Sequence, residues 1–230
     1  MTKDVNGTCQ KVYFYTVKNT RTLINSEAKS LTGTVSTHIQ SRFKNAESNL
    51  LLFAKSRQLK RFMLGGDTSY HLLQPGLIRQ LAEYQKAYPE YYEIRVLLPD
   101  GEEDTRVINR KLNNKSFNES ETELYQSLTT SPITESNQLI AINPDNNEIA
   151  AYLSTPLYFK EALKRGQDEK DNLLPSGFLV ITMDISFIGP LLDSIRIGEN
   201  GFLLVASDAG EVIFSPENKT GISQSVDKTA

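Results

Sequence analysis

A strand–turn–strand unit occurs twice in this chain, and it limits the fold more than any other feature. Tyr91-Tyr92-Glu93-Ile94-Arg95-Val96-Leu97-Leu98 runs through Pro99-Asp100-Gly101 into Thr105-Arg106-Val107-Ile108. Further on, Gly201-Phe202-Leu203-Leu204-Val205-Ala206 runs through Ser207-Asp208-Ala209-Gly210 into Val212-Ile213-Phe214. Each copy joins two β-prone runs by an acidic turn ending in glycine, which has no Cβ to clash where a tight hairpin needs φ > 0. The second copy has little chain left around it. A lone two-stranded ribbon is marginal in water, so it must pack on another element, the N-terminal part of a long helix being the candidate.

That helix is legible as a periodicity. Ile24, Ala28, Leu31, Val35, Ile39, Phe43, Ala46, Leu50 and Phe53 recur at a mean step near 3.6 residues within a helical pattern from Val12 to Met63. At about 1.5 Å per residue, some forty residues reach about 60 Å, more than one small domain needs. The pattern is read as a stalk, against the alternative of two helices broken near Thr32-Gly33-Thr34. Gly65-Gly66-Asp67-Thr68-Ser69 follows as a cap and loop. Its opening is like the Gly-Gly-Asp-Glu-Phe signature of diguanylate cyclases, but Thr68-Ser69 replaces the acidic and aromatic residues.

Leu77–Tyr88 is expected to be a short amphipathic helix stopped by Pro89. Strands are expected at Tyr91–Leu98, Thr105–Arg110, Gln138–Ile142, Glu148–Tyr158 and Gly177–Asp184, with a short helix at Ser120–Leu128. Asn113–Asn118 reads as a polar loop, Asn143–Asn147 as a turn, Lys160–Pro175 as a charged insertion and Ile185–Ile195 as a return to helix. The sum is an α+β chain: a long N-terminal helix, a five-stranded antiparallel sheet with covering helices, and a second, partial lobe.

The chemistry that is missing narrows function. A net charge of −3 argues against nucleic acid, which demands a basic face. No apolar run is long enough to span a bilayer, and the first residues lack a signal-peptide core, so the chain is expected to be cytosolic or a piece of a longer membrane protein. Cys9 is the single cysteine, which excludes an intrachain disulfide. His38 and His71 have no partners at metal or triad spacing. No serine elbow, phosphate-binding loop or carboxylate metal loop occurs, and the Asp100–Asp104 acidic run reads as an exposed, solvated turn. No catalytic residue, metal or cofactor is expected.

Four segments in order carry a family resemblance: Tyr92–Glu102 with Arg106-Val107, Ser154-Thr155-Pro156-Leu157-Tyr158, Gly177–Ile185, and Gly201–Val205. Together, from about Leu23 to Pro216, they resemble the double Cache, PAS-like, extracytoplasmic sensor domains of bacterial receptors. The resemblance implies a periplasmic ectodomain flanked by transmembrane helices in a sensor histidine kinase, or else in a diguanylate cyclase or methyl-accepting chemoreceptor. It implies residues 1–19 as a flank, 20–64 as the stalk, 65–195 as a membrane-distal sensor lobe and 196–230 as a partial membrane-proximal lobe. It also implies a small-molecule ligand held between the sheet and its cover. The candidate ligand residues are Phe117 and Tyr125 from the cover, Tyr152 and Ser154 from the fourth strand, and Thr182 and Asp184 from the fifth.

Amino-acid-binding members are similar to Tyr-x4-Arg-x-Trp-Tyr in the cover. Aligned on Leu124-Tyr125, this chain has Phe117 at the Tyr position and Thr122 at the Arg position, so the arginine fork for a carboxylate is missing. Asp184 is then free to meet an amine. The competing assignments are ordinary ones: Tyr125, Tyr152 and Tyr158 as core aromatics, and Asp184 as a helix cap. A homodimer through the long helix, or a structural module that binds no ligand, is the alternative of another class.

Overall fold

A computed structural model of the chain describes residues 5–113, 117–130, 136–159, 175–195, 197, 202–206 and 212–215, with side chains from residue 25 onward apart from 67 and 68. Cys9 as a side chain, residues 160–174, Gly198, Gly201, the Ser207–Gly210 turn and the 216–230 tail lie outside the described residues. The chain divides into two compact units, residues 43–186 and residues 1–42 with 187–230.

Helix α1 covers Val5–Ala54 and continues through Thr32-Gly33-Thr34. The hydroxyls of Thr32, Thr34 and Thr37 donate to the carbonyls of Ala28, Ser30 and Gly33, one turn back, so these residues fold their polar groups onto the helix instead of breaking it. The expected stripe is the least exposed side of the helix, with Val35, Ala46, Leu50 and Phe53 buried. The rod does not reach Leu64 unbroken. Ser56 takes an extended conformation and its Oγ accepts the Leu59 N–H at 3.2 Å, so a new helix, α2, starts at Arg57–Leu64. Gly65 and Gly66 are the whole of the expected loop, because α3 already begins at Asp67 and runs to Ala87 with Pro75 inside it.

The sheet has six strands rather than five, in the order β3-β2-β1-β6-β5-β4, with every neighbouring pair antiparallel. They are β1 Tyr91–Leu97, β2 Glu103–Ile108, β3 Lys111–Leu112, β4 Asn137–Asn143, β5 Glu148–Leu157 and β6 Gly177–Asp184. The extra strand follows from the turn at Asn109 and Arg110, where φ is +47° and +67°. Two successive positive φ values make a tight primed turn, a geometry sequence reasoning assigns to Asn-Gly and not to Asn-Arg. Gln85 holds it: its Oε1 accepts the Arg110 N–H at 2.7 Å while its Nε2 donates to the carbonyls of Tyr91, Tyr92 and Val107.

Strand alternation gives the sheet two unlike faces. Ile94, Val96, Val107, Leu179, Ile181 and Met183 point to one, and all are fully buried. Helix α3 lies against β1, β2 and β3. A bulge between Tyr91 and Glu93 puts Tyr91 opposite Met183, on this same face, where its hydroxyl accepts from Asn49 Nδ2 of α1 at 2.8 Å. The opposite face is covered in part by α4, Glu123–Thr130, which starts later than expected and packs on β4 and β5.

In the other unit, α5 (Ile188–Asp193) buries Ile188 and Leu192, and Arg42 stacks 4.3 Å over the Phe187 ring. The second hairpin forms as β7 Val205–Ala206 paired with β8 Val212–Phe214, the latter buried along its length. Among the described residues no helix is long and apolar enough to cross a membrane.

Candidate ligand-binding site

On the second sheet face, Glu93, Arg95 and Leu97 alternate inward along β1, with Arg106 directly opposite Arg95 on β2. Two like charges facing each other across a ladder repel. Carboxylates resolve the conflict. Glu93 bridges both guanidiniums, with Oε1 2.9 Å from Arg95 Nε and Oε2 accepting from Arg106 Nε at 2.7 Å. Glu103 Oε1 lies 2.9 Å from Arg95 Nη1 and 3.7 Å from Arg106 Nη1. Glu119 Oε1 accepts from Arg95 Nη1 at 2.8 Å, and Asp145 pairs with Arg106 Nη2. Thr182 Oγ1 on β6 donates to Glu93 Oε1 at 3.1 Å. The Arg95 Nε contact is an ion pair without hydrogen-bond alignment.

Glu103 enters this network through a second bulge. The register slips between Val96 and Leu97, so Glu103 pairs with Leu97 and joins its face. The acidic turn is therefore not simply solvated: Glu103 is 6 % exposed. Burial pushes its carboxyl above the ordinary range, opposed by Arg106 and Arg95. Burial pulls Arg95 down, yet Glu93, Glu119 and Glu103 together hold its guanidinium above its usual value.

The network walls a cavity of about 540 Å³. Arg95, Arg106, Tyr152, Leu139 and Ala141 line it from the sheet. Asn143, Pro144 and Asp145 line it from the β4–β5 turn, and Phe117, Asn118, Glu119, Thr122, Glu123 and Leu124 from the covering segment. The cover is tied to the first hairpin: Glu103 N–H donates to the Phe117 carbonyl and Glu119 N–H to the Gly101 carbonyl. At Gly101, φ is +88° and a Cβ would stand 2.8 Å from Ser120 N, so this approach needs glycine. The Arg106 guanidinium stands 5.9 Å over the Phe117 ring, and that of Arg95 stands 5.9 Å over the Tyr152 ring. Burial raises the Tyr152 phenol to about 12.

Of the six residues expected at a ligand, the structure brings Phe117 and Tyr152 to the cavity wall. Thr182 stays behind the wall, donating to Glu93, which in turn pairs with the lining residues Arg95 and Arg106. Tyr125 belongs to the apolar cluster beside it, edge-on to Phe178, with its hydroxyl donated to the Pro99 carbonyl. Ser154 is buried and donates to the Asn137 carbonyl at 3.4 Å. Asp184 Oδ1 accepts the Ser186 N–H at 2.8 Å, as a strand-end cap, and is not among the lining residues. Sequence reasoning missed Arg95, Arg106, Glu93, Glu103, Glu119, Asn143 and Asp145. The signal available was charge at alternate positions of otherwise apolar strands: Glu93 and Arg95 inside Tyr91–Leu98, and Arg106 beside Val107.

Residues 16–228 match the family described as Cache domain. No curated protein sequence matches the chain. Solved structures with the same fold include a domain ascribed to a sensory box/GGDEF family protein from Vibrio parahaemolyticus, with TM-score 0.65 and 16% identity over 84% of this chain and 72% of that one. The V. cholerae histidine kinase DctB sensor domain superposes with TM-score 0.54 and 15% identity over 84% of this chain and 67% of that one. The ligand-binding domain of the Pseudomonas fluorescens chemoreceptor CtaA, in complex with L-isoleucine, gives TM-score 0.58 and 12% identity over 91% and 75%.

Proposed function

The chain belongs to the Cache domain family, and we propose that it is the small-molecule-sensing ectodomain of a bacterial inner-membrane receptor, with a sensor histidine kinase as the parent protein. Cache domains are extracytoplasmic sensor domains of membrane receptors, not catalytic ones. The observation that carries the reading is the cavity of about 540 Å³ on the polar face of the six-stranded sheet, a size suited to a metabolite. Phe117 and Tyr152 contact the ligand, and Thr182 orients Glu93 beneath it. Residues 65–195 form the sensing lobe, 20–64 the connecting rod, and 196–230 part of a membrane-proximal lobe. Ligand closure biases the rod between two states, by no more than the ligand's differential affinity for them.

A thermal-shift panel of metabolites tests the site. A ligand at a hundred times its dissociation constant stabilises the folded state by about 2.7 kcal/mol. Tyr152→Ala abolishes that shift and Asp184→Ala leaves it intact; an undiminished shift in Tyr152→Ala puts the site elsewhere. The flanking sequence of the full gene product decides among kinase, cyclase and chemoreceptor parents. Whether the rod dimerises is read directly by native mass spectrometry.

A further inference from the structure

Strand β4 is the outermost strand of the sheet and pairs with β5 on one side. Its ladder holds one register from Asn137 opposite Ser154 to Asn143 opposite Glu148, with no bulge. In an antiparallel ladder every second residue turns its N–H and C=O away from the neighbouring strand. Two bonds fix the phase here. Asn137 Oδ1, and not β5, accepts the Gln138 N–H at 2.9 Å, and the Asn143 carbonyl accepts the Asn147 N–H across the hairpin end at 2.7 Å. Gln138, Ile140 and Ile142 are therefore the residues whose backbone groups face outward. Among the described residues, none bonds to the outward groups of Ile140 and Ile142. Gln138 is exposed and Ile142 is 47% exposed.

Proteins guard such an edge with a charge, a proline, a bulge or brevity. The opposite edge of this sheet follows that rule, since β3 is two residues long and begins with the exposed Lys111. The β4 edge has none of these guards. It is seven residues long, and no charged residue occurs from Ser136 to Pro144. A guarding charge acts most directly against a second copy, because a self-paired strand sets its own sign opposite or diagonal to itself. Its absence here leaves self-pairing unopposed. Antiparallel pairing about Ile140 sets Ile140 opposite Ile140, Leu139 opposite Ala141 and Gln138 opposite Ile142. These are a β-branched pair, a large residue against a small one, and an aliphatic stem over an exposed isoleucine. The Ile140 N–H of each copy then meets the Ile140 carbonyl of the other, and the Ile142 N–H meets the Gln138 carbonyl.

We propose that β4 is a self-association edge, along which two copies of this chain join antiparallel over Gln138–Ile142 about a two-fold axis at Ile140. The two six-stranded sheets become one continuous sheet. This interface is separate from any contact made by the rod.

Sedimentation equilibrium on the full chain, carried up to millimolar concentration, tests this. The expected result is a reversible monomer–dimer equilibrium. Ile142→Lys puts a cation on the exposed edge and weakens association at least about tenfold. Ile140→Pro removes the central outward N–H while sparing the bonds to β5, and abolishes the dimer. Leu52→Lys, on α1, leaves it unchanged. In a Cys9→Ser background, Ile140→Cys forms a disulfide-linked dimer faster than Leu72→Cys, although Leu72 is 82% exposed. Facing Cα atoms of a hydrogen-bonded pair lie about 5.5 Å apart, within disulfide reach. A monomer at every concentration overturns the proposal, as does a dimer that survives both edge variants or is broken by Leu52→Lys alone. A chain that stays monomeric yet captures a free peptide of residues 136–144 overturns the second copy as the occupant of the edge.

Discussion

The two faces of the six-stranded sheet are built from the same strands and do opposite things. The helix side places Ile94, Val96, Val107, Leu179, Ile181 and Met183 in a fully buried apolar layer. The cavity side buries Arg95, Arg106, Glu93 and Glu103, with Glu119 and the exposed Asp145 completing the ion pairs, beside a hollow of about 540 Å³. Hydrophobic burial rewards a filled interior. An ion-paired cluster stabilises little by itself, because desolvation consumes most of the attraction. The difference between the faces shows one layer held by apolar packing alone and another that also buries charge at a cost.

The sharpest way to break that contrast is to unbalance the polar face. Glu93→Ala leaves Arg95 and Arg106 buried without their shared partner and destabilises by about 3–5 kcal/mol, read by urea unfolding. A loss near zero would mean the network is wet and not structural. On the helix side, Ile181→Ala costs about 2–5 kcal/mol through lost burial and a residual cavity, while ligand affinity of the folded protein is unchanged. A smaller effect, of about 1–3 kcal/mol, is expected for Gly101→Ala, whose new Cβ meets Ser120 in a positive-φ turn. This variant also weakens ligand binding, because the Gly101 carbonyl holds Glu119 N–H.

The gentlest probe is a pair of tyrosines, one on each face. Burial raises both the Tyr91 and the Tyr152 phenol from 10.0 to about 12. Each folded-state value exceeds the unfolded one and the disfavoured form is the anion. The stabilisation is therefore full below pH 10 and is lost as pH rises toward about 12. Either Tyr→Phe variant flattens that alkaline decline in a thermal-melt series. Tyr91→Phe also loses the Asn49 hydrogen bond, about 0.5–1.5 kcal/mol, with no change in affinity, whereas Tyr152→Phe lowers affinity at little cost in stability.

Much of this architecture was legible in the chain, and what was not has physical causes. The Asp100-Gly101 hairpin, the Asn143–Asn147 turn and the Gly177–Asp184 strand are local signals, and each forms where expected. The cap at Ser56 is hard to read in the sequence because neither glycine nor proline marks a break between Ala54 and Leu64. The Asn109–Arg110 turn escaped because Gln85, from a distant helix, supplies its support. The site was hardest to read. Arg95 and Arg106 are committed by pairing across strands, and Glu103 turns inward only through a bulge, neither of which a linear sequence displays. Tyr152 and Phe117 reach the cavity as aromatics of the right elements, while Asp184 caps a strand end instead.

The account turns on which face of the sheet senses, and methyl-labelled NMR during ligand titration reads that directly. Shifts are predicted to concentrate on Leu124, Leu139 and Ile142, which line the cavity, with Ile94, Leu153 and Ile181 nearly still. Saturable shifts centred on Ile94 and Ile181, with the cavity methyls unmoved, would contradict it.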